Sequence, residues 1–158
     1  DTDGPEAFCP VFNCANIPVE VHETINPMRV RQFGLIPDTG GAGRFRGGCG
    51  MRKDIEVLLD DTTLTLLGDR HDTPPWGLFG GGPGATAQTL LIRDGETVAL
   101  GSKEVCTLRA GDVLSFRLSG AGGYGDVAAR DPEKVREDVR QGYVTPEAAV
   151  AVYGLKDM

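Results

Sequence analysis

Long apolar runs are missing from this 158-residue sequence: none approaches the ~20 residues a helix needs to cross a bilayer. No secretory leader is visible in the first residues. Positive charge is scarce too. Sixteen Lys and Arg stand against 23 Asp and Glu, a formal charge of −7 at pH 7, whereas a nucleic-acid footprint is a basic patch. The basic residues are scattered, so no cationic membrane-surface face forms. These absences predict a cytoplasmic protein with neither membrane nor nucleic acid among its partners.

Self-contained catalytic motifs are absent as well. There is no Gly-x-x-x-x-Gly-Lys-Ser/Thr phosphate loop, no Gly-x-Ser-x-Gly elbow and no Ser-His-Asp arrangement. The two histidines, His22 and His71, are too few for a histidine metal site, and no metal is assigned to this chain. Cys9, Cys14, Cys49 and Cys106 permit three disulfide pairings, and the Cys9–Cys14 spacing suits two metal ligands. Without paired Cys-x-x-Cys spacings or a leader, the expectation is reduced thiols. Cys49, between Gly48 and Gly50, reads as a small buried side chain.

Glycine, by contrast, is abundant: most of the 23 lie in three loops. The first is Asp38-Thr-Gly-Gly-Ala-Gly-Arg-Phe-Arg-Gly-Gly48. The second runs Asp69-Arg-His-Asp-Thr-Pro-Pro-Trp-Gly-Leu-Phe-Gly-Gly-Gly-Pro-Gly84. The third is Ser119-Gly-Ala-Gly-Gly-Tyr-Gly-Asp126. Glycine costs backbone entropy, so such clusters mark places that need positive φ or close backbone approach. Arg44, Arg46, Arg70 and His71 inside them suit an anion or a carbonyl-bearing ligand.

Between the loops the pattern is that of strands. Pro18–Glu23 alternates Val19 and Val21 with Glu20 and His22, predicting a half-buried strand with Glu20 and Glu23 on opposite faces. Asn26-Pro27 marks a turn before a second strand, Met28–Phe33. Met51–Leu59 and Thr62–Leu67 flank Asp60-Asp61 as a predicted hairpin. Asp94-Gly95 supplies the two positive φ values of a type I′ turn between Thr89–Arg93 and Glu96–Leu100. Ala110-Gly111 predicts another pair, with Leu114, Phe116 and Leu118 facing a core. Asp131-Pro132-Glu133 and Thr145-Pro146-Glu147 are helix starts, and Gly142 and Gly154 are stops.

The expected fold is therefore mainly β, a sandwich or irregular barrel with long glycine-rich loops, ending in two short C-terminal helices. Residues 1–128 form the β-rich domain and 129–158 a helical extension packed on it. The chain opens without Met and enters patterned sequence at once, which predicts a fragment of a longer polypeptide.

Two site readings compete at each charged position. Arg44 and Arg46 can present guanidinium forks to a phosphate or carboxylate, with the amides of Gly47 and Gly48 forming a nest. They can equally pair with Asp38 and neighbouring acids to pin the loop. His71 is the candidate for proton transfer, with Arg70 and Asp72 tuning its charge; alternatively it bonds a loop carbonyl.

Several segments together resemble one family. They are Asn16-x-Pro18-Val-Glu20-Val-x-Glu23, the whole first loop, Asp69-Arg-His71, Pro75-Trp-Gly77, Gly80-Gly81 and Pro83-Gly84. Lys103, Gly111-Asp112, Gly122-Gly-Tyr-Gly125, Arg130-Asp-Pro132, Asp138-Val139 and Tyr153-Gly154 continue the match in order. The sequence resembles the C-terminal part of the hydantoinase B/oxoprolinase family, which includes N-methylhydantoinase, 5-oxoprolinase, caprolactamase and acetone and acetophenone carboxylases.

The resemblance implies ATP-dependent chemistry divided between modules. An actin-like, A-type partner subunit holding ATP and Mg²⁺ phosphorylates the substrate's carbonyl or enol oxygen. The B-type module then hydrolyses the activated cyclic amide or carboxylates the carbon. Any divalent metal of the B-type subunit is expected in an N-terminal part outside this sequence, and the fragment alone is expected to be inactive. Trp76 then suits stacking on a cyclic amide and Tyr124 donation to an oxyanion, although both can also be packed loop anchors. The alternatives are a ketone carboxylase component and a non-catalytic assembly domain whose arginines contact the A-type partner.

Overall fold

The computed structural model describes residues 2–7 and 16–155. Seven strands form two layers. β1 (Met28–Ile36), β2 (Gly50–Val57), β7 (Val113–Arg117), β4 (Gln88–Arg93) and β5 (Glu96–Leu100) make a five-stranded antiparallel sheet in that order. β3 (Thr62–Leu67) and β6 (Lys103–Leu108) form an antiparallel ribbon. The ribbon packs on the sheet through a core of Val57, Leu91, Leu108 and Leu114, flanked by Leu64, Leu100, Cys106 and Phe116. The sandwich expectation holds, and no barrel closes among the described residues.

The Asp94-Gly95 hairpin forms as expected, with φ of +53° and +82° and Arg93 opposite Glu96. The other two predicted hairpins do not. β2 and β3, joined at Asp60-Asp61, lie in different layers, as do β6 and β7, joined at Ala110-Gly111. The Ala110 amide donates to Asp60 Oδ1 at 2.9 Å, so the two crossings are tied side by side. Leu114 is buried and Phe116 packs on the core, but Leu118 is half exposed.

The predicted first strand is a helix, α1 (Val19–Ile25), which overturns the strand reading of Pro18–Glu23. The alternation of Val19 and Val21 is too short to outweigh local bonding, and no neighbouring strand pairs with it. Thr24 Oγ1 donates to the Glu20 carbonyl and Asn26 Nδ2 to that of His22, closing the turn. Glu20 and Glu23 are thus one turn apart. Glu23 instead accepts from the Val30 amide, where β1 is bulged.

The C-terminal helices form where expected. α2 (Pro132–Gln141) is capped by Asp131, which accepts from the Glu133 amide, and ends at left-handed Gly142. α3 (Pro146–Ala151) is capped by Thr145. Their apolar faces form a second cluster of Val135, Val144, Ala149 and Leu155. Asp38 docks this unit, accepting from the Thr145 amide and hydroxyl at 2.8 and 2.7 Å. No helix among the described residues is long and apolar enough to cross a membrane.

Candidate functional site

The three glycine loops fold against each other, backbone on backbone. Gly41 N–H donates to Ala121 O, Gly82 N–H to Ala42 O and Gly123 N–H to Gly82 O, all within 2.9 Å. A Cβ on Gly120 would lie 1.8 Å from the Thr39 carbonyl oxygen, and one on Gly122 1.9 Å from that of Trp76. Neither glycine has positive φ, so close approach is what these positions require. Gly47 and Gly48 are buried in the same way, against the carbonyls of Ala121 and Pro5.

Arg46 lies inside this assembly at 3% exposure. Its guanidinium donates to Gly47 O at 2.7 Å, pairs with Glu6 at 2.8 Å and with Asp138 at 3.3 Å, and stacks on Tyr143. Asp3 accepts from the Arg46 amide at 2.7 Å, and Glu6 from that of Cys49. These carboxylates take the amides on either side of Gly47 and Gly48, not the Gly47 and Gly48 amides expected to form a nest. Gly47 N–H is spent on Gly41 O and Gly48 O receives Ala121 N–H. The geometry therefore gives Arg46, Gly47 and Gly48 a locking place, with Glu6 and Asp138 as partners where Asp38 was expected.

A second arginine completes the lock. Arg130 pairs with Asp3 at 2.6 Å and with Asp138 at 2.5 Å, and donates to the Arg44 carbonyl. Burial pushes the Asp3 carboxyl upward, but hydrogen bonds from Arg130 and the Arg46 amide outweigh it and hold it below the ordinary value. Burial and Glu6 raise the Cys49 thiol, which disfavours its thiolate. Cys49 and Cys106 are free; the predictions for Cys9 and Cys14 fall outside the described residues.

His71 is held at both ring nitrogens, 3.2 Å from the Asp69 carbonyl and 3.2 Å from Thr89 Oγ1. A carbonyl only accepts, so in the neutral ring Nδ1 carries the proton and Nε2 accepts from the threonine. This is the loop-anchoring arrangement. Beside it Arg70 is exposed, in a left-handed conformation, with its guanidinium 5.5 Å from the ring centre of Trp76.

What the locked loops present outward is a row of cations and aromatics. Arg44 lies 5.3 Å over the Phe45 ring and Lys134 5.3 Å over the same ring. Phe45 stands 6.3 Å from Tyr124, and Tyr124 5.1 Å from Phe79. Backbone bridges from Tyr124 to Phe45 and Leu78 fix the row. Phe79 is 77% exposed and Trp76 68%. Phe79 also has φ of +52°, a conformation that costs a side chain energy and tends to persist at functional positions. Among the described residues, no hydrogen bond, ion pair or ring contact joins Arg70 and His71 to Arg44 or Arg46.

Sequence reasoning missed Phe45, Phe79 and Lys134, and the acids Asp3, Glu6 and Asp138 that hold Arg46 and Arg130. A large aromatic among glycines was the available signal for Phe79. Nothing local marks the acids, which come from distant parts of the chain. No three His, Cys, Asp or Glu among the described residues converge to hold a metal ion.

The hydantoinase B/oxoprolinase family model matches residues 1–127. The B-type subunit of a putative D-/L-hydantoinase from Pseudomonas sp. (strain NS671) is 35% identical over 97% of this chain and 26% of that protein. The beta subunit of the Pseudomonas jessenii caprolactamase is 32% identical over 87% of this chain and 24% of its own. The crystal structure of that organism's ATP-dependent caprolactamase superposes with a TM-score of 0.73, covering 89% of this chain and 25% of its own. An acetone carboxylase shares the fold, with a TM-score of 0.76 at 23% identity, over 87% of this chain and 22% of its own. The chain thus spans about a quarter of the length of these relatives, and it belongs to the hydantoinase B/oxoprolinase family.

Proposed function

We propose that this chain is the C-terminal portion of a B-type subunit that opens a cyclic amide, such as a hydantoin, 5-oxoproline or a related lactam, in an ATP-dependent reaction. An A-type partner in the cytoplasm holds ATP and Mg²⁺ and phosphorylates the carbonyl; this chain supplies one wall of the site that receives the activated ring. The family membership and the names of the hydantoinase and caprolactamase relatives support this reading.

The observation that carries the wall is the row Arg44–Phe45–Tyr124–Phe79 on a backbone that three glycine loops hold rigid. A flat amide ring stacks on aromatic faces, and an exposed guanidinium receives the negative charge that phosphorylation adds. Trp76 with Arg70 offers a second such pair. Arg46, Gly47, Gly48 and His71 act on this face indirectly, by fixing the loops. The separate apolar clusters of sandwich and helices support a boundary near residue 128.

The test is ATP-dependent ring opening by the complete two-subunit complex, offered hydantoin, 5-oxoproline and caprolactam. Arg44→Ala, Trp76→Ala and Tyr124→Ala should each lower kcat by about tenfold or more with assembly intact, and His71→Gln by less than about threefold. Wild-type turnover in the first three rejects the wall. Failure of those variants to copurify with the partner makes the chain an assembly domain instead. Carboxylation of ketones with bicarbonate, without ring opening, replaces hydrolysis by the carboxylase reading.

A further inference from the structure

The two edges of the five-stranded sheet are treated differently. β1 is nine residues long, is bulged between Val30 and Gln32, and carries Arg29 and Arg31 at the bulge. Bulges and cationic side chains are how natural sheets keep edges from pairing with further strands. β5 has neither. Glu96, Thr97, Val98 and Ala99 are all exposed, with no proline, bulge or cation among them.

The hairpin register shows which backbone groups are free. A two-residue turn makes Arg93 and Glu96 a hydrogen-bonded pair, and alternation then makes Leu91–Val98 and Thr89–Leu100 the next ones. The amides and carbonyls of Thr97 and Ala99 therefore point away from β4, into the open edge. β6, which faces the same opening, pairs only with β3 among the described residues.

Between these edges the sandwich gapes. A cavity of about 490 Å³ opens there over an apolar floor of Leu91, Val98 and Leu100. Its polar wall includes Glu96 and Glu104, neither of which makes an ion pair among the described residues. Arg93, the one cation in the wall among the described residues, is committed to Asp112 and to the Thr107 carbonyl. The opening is thus apolar below, acidic at its rim and bordered by the β5 edge, which pairs with no further strand among the described residues.

We propose that the β5 edge takes up an extended segment from another part of the same B-type polypeptide as a sixth strand. The segment bonds Thr97 and Ala99 through its backbone, places alternate apolar side chains in the cavity, and sets a lysine or arginine against Glu96 and Glu104. This rests on reading the chain as a portion of that longer subunit; its relatives carry about three quarters of their length outside the matched part. A second copy is the poorer occupant, because its own β5 would bring another Asp94 and Glu96 to an already acidic rim.

Hydrogen exchange at residue level on the complete subunit, purified without its A-type partner, tests this. The Thr97 and Ala99 amides should exchange at least about tenfold more slowly than the Asp94 and Gly95 amides of the turn. Ala99→Pro removes only an outward-facing amide, so the β4–β5 ladder stays intact. It should free Thr97 while Val98 and Leu100 stay protected. Glu96→Lys with Glu104→Lys should free Thr97 too. Unprotected Thr97 and Ala99 amides in the wild type overturn the proposal, whatever the variants do. Protection that appears only with the A-type partner, or only at high protein concentration, overturns the assigned source. Protection that survives the double charge reversal overturns the basic segment. Ring-opening activity is scored separately, so its absence counts against the catalytic reading alone.

Discussion

The Arg46 guanidinium lies 3.3 Å from the Asp138 carboxylate, and this contact joins the first glycine loop to α2. Asp138 also holds Arg130, so one carboxylate sits between two buried cations while Asp3 and Glu6 close the network from the N-terminal side. Three segments far apart in sequence, at residues 3–6, 46 and 130–138, are fastened at one point.

Removing the central acid should therefore cost far more than a surface ion pair. Asp138→Asn leaves Arg46 and Arg130 buried with less than their compensating charge and should lower stability by about 3 kcal/mol. Urea denaturation of wild type and variant reads this directly. A loss near that of an exposed pair such as Arg140–Glu137 would show that the network is solvated.

Glycines in this chain should divide sharply by position. Gly120→Ala places a methyl 1.8 Å from a carbonyl oxygen in a rigid backbone stack and should cost about 3 kcal/mol or prevent folding. Gly34→Ala, in β1 with nothing within 4 Å, should stay within about 1 kcal/mol of the parent. Melting temperatures of the two variants distinguish close approach from a general need for flexibility.

Phe79 separates backbone strain from side-chain contact. Phe79→Ala and Phe79→Gly both lose the ring that stacks on Tyr124, but only glycine relaxes the +52° φ. The glycine variant should be the more stable of the two by about 1 kcal/mol. Equal denaturation midpoints would mean that the left-handed turn is not strained.

Acid should weaken the fold through its paired carboxylates. The hydrogen bond from Arg93, helped by the Arg109 amide and opposed by burial, holds the Asp112 carboxyl below its ordinary 3.8. A depressed folded value means that the native state binds fewer protons. The stabilisation is then complete above pH 3.8 and is lost as pH falls through the folded value. Asp112→Asn should reduce stability at pH 7 and flatten its decline below about pH 4. An unchanged acid slope, measured by denaturation between pH 2 and pH 7, would assign that decline to other groups, with Asp3 the first candidate.

Turn chemistry told the truth about reversals and little about partners. Asp94-Gly95 makes its hairpin because two positive φ values and a two-residue loop fold its flanking strands directly against each other. Asp60-Asp61 and Ala110-Gly111 reverse the chain just as strongly, yet each carries it across the sandwich. A turn sets direction locally; which layer a strand joins depends on the apolar faces of strands far away in sequence. The α1 segment failed for the converse reason. Four residues of alternation carry less weight than side chains that bond the backbone one turn back.

Local chemistry alone therefore determined the strands, both helix caps, the Asp94-Gly95 turn and the family, since each depends on residues adjacent or in fixed order along the chain. Only tertiary structure decided what the glycine loops do. Their φ values did not require glycine at Gly120 or Gly122; the carbonyls of Thr39 and Trp76 did. It likewise turned Arg46 inward, because the anions that satisfy it, Glu6 and Asp138, lie 40 and 92 residues away and meet it only after the chain has folded.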